Sequence, residues 1–195
     1  MRQFFLIFLF LLHIWNVYAN NVVDQIDWCN FLKRHDPVWK VLPQRFDHGA
    51  FLGNGLIGTT IFQESDYAIR FGIGRSDVTD HRFDNGRLLM GGLVLQTRGK
   101  ISGGNLRTSL WNAETTGKVS TERGAVVISA YVHAEYPVLI IEVATEGEED
   151  VFFDWIPSKS IVRADDISHF TNHPFNPEPV KGNSKDIYYC EQIRN

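Results

Sequence analysis

Leu56-Ile57-Gly58-Thr59-Thr60-Ile61-Phe62-Gln63-Glu64-Ser65-Asp66-Tyr67-Ala68-Ile69-Arg70-Phe71-Gly72-Ile73 holds two stretches in which side-chain character repeats every second residue. Ile57, Thr59 and Ile61 alternate with Leu56, Thr60 and Phe62, and Tyr67, Ile69, Phe71 and Ile73 then share one face. A period of two is that of a strand, whose successive side chains point to opposite sides. Glu64-Ser65-Asp66 between the stretches predicts a turn, so the two read as consecutive antiparallel strands. Downstream, Leu93–Leu95, Leu106–Trp111, Val126–Val132, Val138–Val143 and Val151–Ile156 continue the pattern. In the third of these, Val126, Ile128, Ala130 and Val132 alternate with Val127, Ser129, Tyr131 and His133, as in a strand with one buried face.

Asp84-Asn85-Gly86 is a strong turn signal, because Asn and Gly accept positive φ. Gly99-Lys100, Gly103-Gly104, Gly117-Lys118, Glu122-Arg123-Gly124 and Glu146-Gly147-Glu148 also read as turn chemistry. Many short strands between regular turns predict a mainly β protein, an antiparallel β-sandwich over residues 39–195. Ahead of it, residues 20–38 read as a short helical or loop lead-in. Val22, Ile26, Cys29 and Leu32 recur at helical spacing until Pro37 stops them. Near the other end, His173-Pro174, Asn176-Pro177 and Glu178-Pro179 exclude regular structure, and Asp186–Cys190 then reads as one more strand with nothing to return the chain. The sandwich is expected to be unfinished, the front part of a longer protein.

Residues 1–19 have the plan of a signal peptide: Arg2 near the start, an apolar run from Phe4 to Leu12, and Val17 and Ala19 ahead of a cleavage point after Ala19. That run is too short to span a bilayer, which takes about 20 apolar residues, and no second one follows, so a secreted or periplasmic protein without a membrane span is expected. The net charge is −4, one unit more negative once Arg2 leaves, and no basic cluster stands out. This balance argues against a nucleic-acid partner. Export permits a disulfide between Cys29 and Cys190, but spacing alone leaves open whether they pair or remain two separate thiols.

Gly53-Asn54-Gly55-Leu56-Ile57-Gly58 fits the spacing of a dinucleotide fingerprint, but that motif must follow a strand and open a helix. Here the glycines precede a strand, so they read as a tight turn and no nucleotide or other cofactor is expected. Asp77-Val78-Thr79-Asp80-His81-Arg82 gathers two carboxylates, an imidazole and a guanidinium in what reads as a loop. Such groups hydrogen-bond directionally, as sugar hydroxyls require. Strands that start at Leu56 and end at Ile73 return the chain to one end, which places Asn54 beside Asp77, Asp80, His81 and Arg82 as substrate-rim or interdomain residues. Metal-ligand spacing and a nucleophile elbow are both missing from the sequence. Glu64, Asp66, Asp77 and Asp80 are candidates for glycoside hydrolysis by residue type alone.

Leu52-Gly53-Asn54-Gly55-Leu56-Ile57-Gly58-Thr59-Thr60-Ile61-Phe62 resembles the LGNG-containing signature of the N-terminal β-domain in α-L-fucosidase-like glycosidases of glycoside hydrolase family 95. Leu106–Glu114 is similar to a later strand of those domains, and Ala130–Ala134 with Pro137–Ile141 to a third segment, in the same order. Related exported bacterial glycosidase-like proteins carry a loop resembling Gly74–Arg82. The resemblance spans roughly Trp39 to Ser160. It implies a supersandwich of the galactose mutarotase-like kind, joined to an (α/α)6 barrel that bears the catalytic residues and hydrolyses a terminal glycosidic bond with inversion.

No catalytic residue can be carried onto this chain from that barrel. Thr108-Ser109 stands where the family has Leu-Asp, and Arg75-Ser76-Asp77 where it has Asn-Glu-Asp, so fucose is not implied. The expected role is that of an accessory domain packed on a C-terminal helical barrel, with carbohydrate as the partner of the full-length protein. A free-standing carbohydrate-binding or structural sandwich is the alternative.

Overall fold

Alternation in the sequence carries through to burial. In the computed structural model, which describes residues 26–80, 86–158, 180–184 and 187–191, Ile57, Ile61, Ile69 and Phe71 are buried while Phe62 and Arg70, on the opposite face, are half-buried; Tyr67, whose spacing puts it with Ile69 and Phe71, is exposed in the turn ahead of Ala68. The first strands are β1 (Val38–Trp39), β2 (Ala50–Gly53), β3 (Ile57–Ser65), β4 (Ala68–Asp80) and β5 (Gly86–Thr97). They are followed by β6 (Ile101–Ser109), β7 (Glu114–Thr121), β8 (Gly124–Val132), β9 (Leu139–Gly147) and β10 (Val151–Pro157). One antiparallel sheet has the order β1-β6-β7-β8-β9 and the other β10-β5-β4-β3-β2.

The sheets face each other across Leu52, Ile61, Ile69, Phe71 and Leu95 on one side and Leu106, Val119, Val126, Ile128 and Ala130 on the other. Full burial of such side chains contributes about 1.5–3 kcal/mol each. The expected antiparallel β-sandwich is the observed fold.

Four expectations change in detail. Gly103, Gly104 and Gly117 lie inside β6 and β7 rather than in turns. A Cβ on Gly104 would come 2.7 Å from the Lys118 carbonyl, and one on Gly117 2.5 Å from the Asn105 carbonyl, so glycine here permits close strand approach. Asp77–Asp80 continues β4 instead of forming a loop, and its partners are Thr79↔Arg87 and Asp80↔Gly86 on β5. The Asp84-Asn85-Gly86 turn signal falls between the two strands in sequence, and Asp84 and Asn85 lie outside the described residues.

The lead-in helix α1 is confined to Trp28–Lys33 in the described part, capped by Asp27, which accepts from the Asn30 amide at 3.0 Å. None of its residues is buried, so the helical spacing does not mark a packed seam. Finally, the strand expected at Asp186–Cys190 is β12 (Ile187–Glu191), paired with β11 (Val180–Ser184) in a hairpin of its own rather than with the sandwich.

Two polar anchors fix the ends of the strands. At one end Glu149, buried, accepts from the backbone amides of Arg98 at 2.8 Å, Gly99 at 3.1 Å and Asp150 at 3.0 Å, and from the Thr121 hydroxyl. It thereby ties together the β5–β6, β7–β8 and β9–β10 turns. Burial raises its pKa, but the hydrogen bonds from Thr121 and the three amides outweigh that and hold the carboxyl below its ordinary value. At the end of β6, the Leu110 amide at 2.9 Å and Arg107 at 2.7 Å donate to Asp36 of the lead-in, which fastens the lead-in to the first sheet.

The two outward faces differ. Asn105, Arg107, Thr116, Lys118, Ser129 and Glu142 dominate the outer face of the first sheet, where Lys118 pairs with Glu146 and Ser129 with Glu114. On the second sheet the outer face carries Phe51, Phe62, Leu89 and Phe152, with Phe46 laid over it against Phe62 at 6.2 Å.

Among the described residues no helix is long and apolar enough to cross a membrane. Cys29, whose pairing with Cys190 the sequence leaves open, is an exposed free thiol.

Candidate functional site

Gly53-Asn54-Gly55-Leu56 forms the β2–β3 turn. Gly55 sits at φ +90°, closed to most side chains, and this lets the Asn54 carboxamide fold back on its own turn. Its oxygen accepts from the amides of Leu56 and Ile57, both at 3.0 Å. Its nitrogen donates to the carbonyls of His133 at 2.8 Å and Tyr136 at 3.1 Å, in the connection between β8 and β9. There His133 accepts at Nδ1 from the amides of Glu135 and Tyr136 and lies against the Tyr136 ring at 4.9 Å. The Gly-x-Gly-x-x-Gly stretch is thus a β-hairpin and has no helix to meet a phosphate.

The same end receives the β4 extension. The Ser76 amide donates to the Leu56 carbonyl at 2.8 Å, so Asn54 and Asp77 do emerge together. Arg75 grips Asp77 through two hydrogen bonds, Nε to Oδ1 at 2.9 Å and Nη2 to Oδ2 at 2.7 Å. The Arg75 guanidinium holds the Asp77 carboxyl below its ordinary pKa, and Asp77 in turn raises that of Arg75. Of the remaining sequence candidates, Asp80 is described in its backbone only, and His81 and Arg82 lie outside the described residues. Asn54 is in place, but its carboxamide is committed to hydrogen bonds within the sandwich.

Glu64 and Asp66 are not brought to Asp77. Glu64 pairs with Arg70, and Asp66 with Lys100 at 2.8 Å, at the far end of β3 from Asp77. Eight residue steps at about 3.3 Å each separate the two ends. Flanking a single glycosidic bond needs carboxyls no more than about 9.5 Å apart, so Glu64 or Asp66 cannot partner Asp77. Among the described residues no three His, Cys, Asp or Glu side chains are grouped to hold a metal.

Next to this end lies a cleft of about 250 Å³ that sequence reading did not find. Gly58, Thr60, Gly72 and Gly74 of β3 and β4 form its floor, Phe46, Phe51 and Leu89 its walls, and Arg75 and Ser76 one end. Phe51 lies flat over the β2–β3 glycines: a Cβ on Gly53 or Gly58 would approach its ring to 3.1 Å. The signal that could have revealed the cleft is Gly72 and Gly74 two apart on one strand, hence on one face. No family model matches the chain, and no curated protein matches it.

Proposed function

We propose that the chain is the accessory β-sandwich of an exported glycoside hydrolase-like protein, and that the outer face of its β10-β5-β4-β3-β2 sheet packs against a helical catalytic barrel of the same polypeptide. The carrying observation is the inequality of the two outer faces. One mixes charged and hydroxyl side chains with the scattered Val38, Val127 and Tyr131, whereas the other groups larger apolar side chains beside one cleft, Phe46 exposed by 48%, Phe51 by 66% and Leu89 by 55%, with Phe152, 47% exposed, on the β10 edge. Contiguous exposed apolar surface rimmed by polar groups marks a contact site. The family resemblance supports the same reading. Two of its three segments, Leu52–Phe62 and Ala130–Ile141, meet through Asn54 and His133 at the end where the Arg75–Asp77 pair stands. In this reading the leader is removed after Ala19.

The test is to express the reading frame together with its downstream sequence, with and without this domain. The longer protein is expected to cleave an aryl glycoside, and the 195-residue chain alone to cleave none. Phe152→Asp should leave the melting temperature of the isolated chain nearly unchanged while lowering that of the longer protein. Asp77→Ala should likewise spare the isolated chain but reduce turnover. N-terminal sequencing of exported material should begin at Asn20. A downstream sequence that encodes no helical barrel would overturn the assignment in favour of a free-standing carbohydrate-binding sandwich, the alternative that the open cleft favours.

A further inference from the structure

The sandwich is closed along one side and open along the other. On the closed side the inward residues of edge strand β2, Ala50 and Leu52, are 0% and 4% exposed. On the open side lie β9 and β10, the last strands of the two sheets. Register with the buried Val126, Ile128 and Ala130 of β8 turns Thr145, Val143 and Ile141 of β9 inward, and register with Leu95 turns Phe153 of β10 inward. None of these four is buried, and Leu139 and Trp155 beside them are only half-buried. Core-facing side chains of both edges therefore line an uncovered seam.

Backbone pairing distinguishes the two edges. Along an antiparallel pair, hydrogen-bonded positions alternate with positions whose amide and carbonyl point away. The His133 amide donates to the Val138 carbonyl and the Glu148 amide to the Arg123 carbonyl, both at 2.9 Å, so the even-numbered residues of β9 bond to β8. Leu139, Ile141, Val143, Thr145 and Gly147 direct their backbone groups away from β8, where β9 has no neighbour among the described residues. On β10 the Arg98 amide donates to the Asp150 carbonyl, which by the same alternation leaves Val151, Phe153, Trp155 and Pro157 turned away from β5. Two of those four are already blunted: the Asp150 carboxylate accepts from the Val151 amide at 2.9 Å, and Pro157 has no N–H. The remaining edges, β1 and β2, are two and four residues long. That leaves β9 as the long edge open to pairing, with Glu142 and Glu146 on its outer face rather than in the seam.

The group that satisfies such an edge is a strand, and the chain supplies one. After β10 the next described element is the β11–β12 hairpin, two five-residue strands paired with each other. A two-stranded hairpin alone is marginal in water, and elements consecutive in sequence are usually neighbours in space. Residues 158–179 join it to β10, and at about 3.3 Å per residue that span far exceeds the roughly 10 Å between packed sheets. A second copy of the chain would also offer a strand, but would bring Glu142 and Glu146 of both β9 strands onto one outer face.

We propose that the β11–β12 hairpin adds to the free edge of β9, extending the β1-β6-β7-β8-β9 sheet and covering the seam in front of Phe153 and Trp155. A five-residue strand reaches three of the outward-directed positions, centrally Ile141, Val143 and Thr145.

Amide hydrogen exchange of the full chain, resolved by residue, tests this. In the parent the Ile141, Val143 and Thr145 amides should exchange at least about a hundredfold more slowly than unprotected amides. Two variants identify the partners. Asn183→Pro places proline inside β11, and Thr145→Pro removes a free-edge amide without touching the β8–β9 ladder, because the Thr145 N–H points away from β8. Each should return Ile141 and Val143 to unprotected exchange, and Thr145→Pro should also release the Gly182 and Tyr189 amides. Unprotected Ile141 and Val143 amides in the parent would overturn the proposal, as would protection that survives Asn183→Pro. Sedimentation at the same concentration should give a monomer. A dimer whose β9 protection grows with concentration would overturn the hairpin in favour of a second copy.

Discussion

Asn54 and His133 are 79 residues apart in sequence, yet the Asn54 carboxamide donates to the His133 carbonyl at 2.8 Å. Asn54 belongs to the turn between β2 and β3 and His133 follows β8, so one side chain staples the two sheets at the candidate site. Asn54→Ala should lower stability by about 2–3 kcal/mol, since it leaves the Leu56 and Ile57 amides and two carbonyls without partners. Asn54→Asp should cost nearly as much: a carboxylate can still accept from the two amides but has no donor to offer His133 and Tyr136. Urea unfolding of both variants checks this, and an Asp variant as stable as the parent would show that the staple is not used.

Gly55, next to it, holds φ at +90° with nothing within 4 Å of a Cβ position. The difficulty there is conformational rather than steric crowding by neighbours. Gly55→Val should destabilise by more than about 1 kcal/mol, and Gly55→Ala by a similar or slightly smaller amount. Gly55→Asn should be the mildest of the three, because asparagine tolerates left-handed backbone. Thermal melts in that rank order are the expected result.

Thr59 faces the core from β3, 1% exposed, with a hydroxyl that has no hydrogen-bond partner. Thr59→Val removes an unsatisfied polar atom and keeps the shape of the side chain. It should raise stability by about 1 kcal/mol. A loss of stability would mean that the hydroxyl is satisfied in solution.

Ala113 closes the β6–β7 connection at φ +52°, where a Cβ is strained. Ala113→Gly should stabilise the fold by up to about 1 kcal/mol, relief of that strain offsetting the greater freedom of glycine in the unfolded chain. The midpoint of denaturant unfolding should rise with no change in its slope.

Glu149 supplies a pH dependence with a definite sign. Its folded-state pKa lies below the ordinary value of 4.5, so deprotonated Glu149 favours the folded state. The contribution is complete above the unfolded pKa and is lost as pH falls through the lower folded value. Glu149→Gln should cost about 2–3 kcal/mol at neutral pH, the scale of hydrogen bonds to a charged group left in poor geometry. The difference between parent and variant should shrink in acid below the folded pKa. Unfolding free energies of both, followed from neutral pH into acid, test it.

The sequence by itself determined the sandwich, because a strand with one buried face must alternate, and Ile57 through Ile61 and Val126 through Ala130 do so. It also located the turn that positions Asn54, since the positive φ that Gly55 adopts favours glycine over other residues. Other features were decided by tertiary structure, for a physical reason common to all of them. Whether glycine in a strand marks a turn, a close approach or an open floor depends on what stands opposite its missing Cβ. At Gly117 that is the carbonyl of Asn105, at Gly58 the ring of Phe51, and at Gly74 almost empty space. Likewise Glu149 reads in sequence as one more acidic turn residue. Its role as the anchor of three turns exists only once Arg98, Gly99 and Thr121 are folded around it.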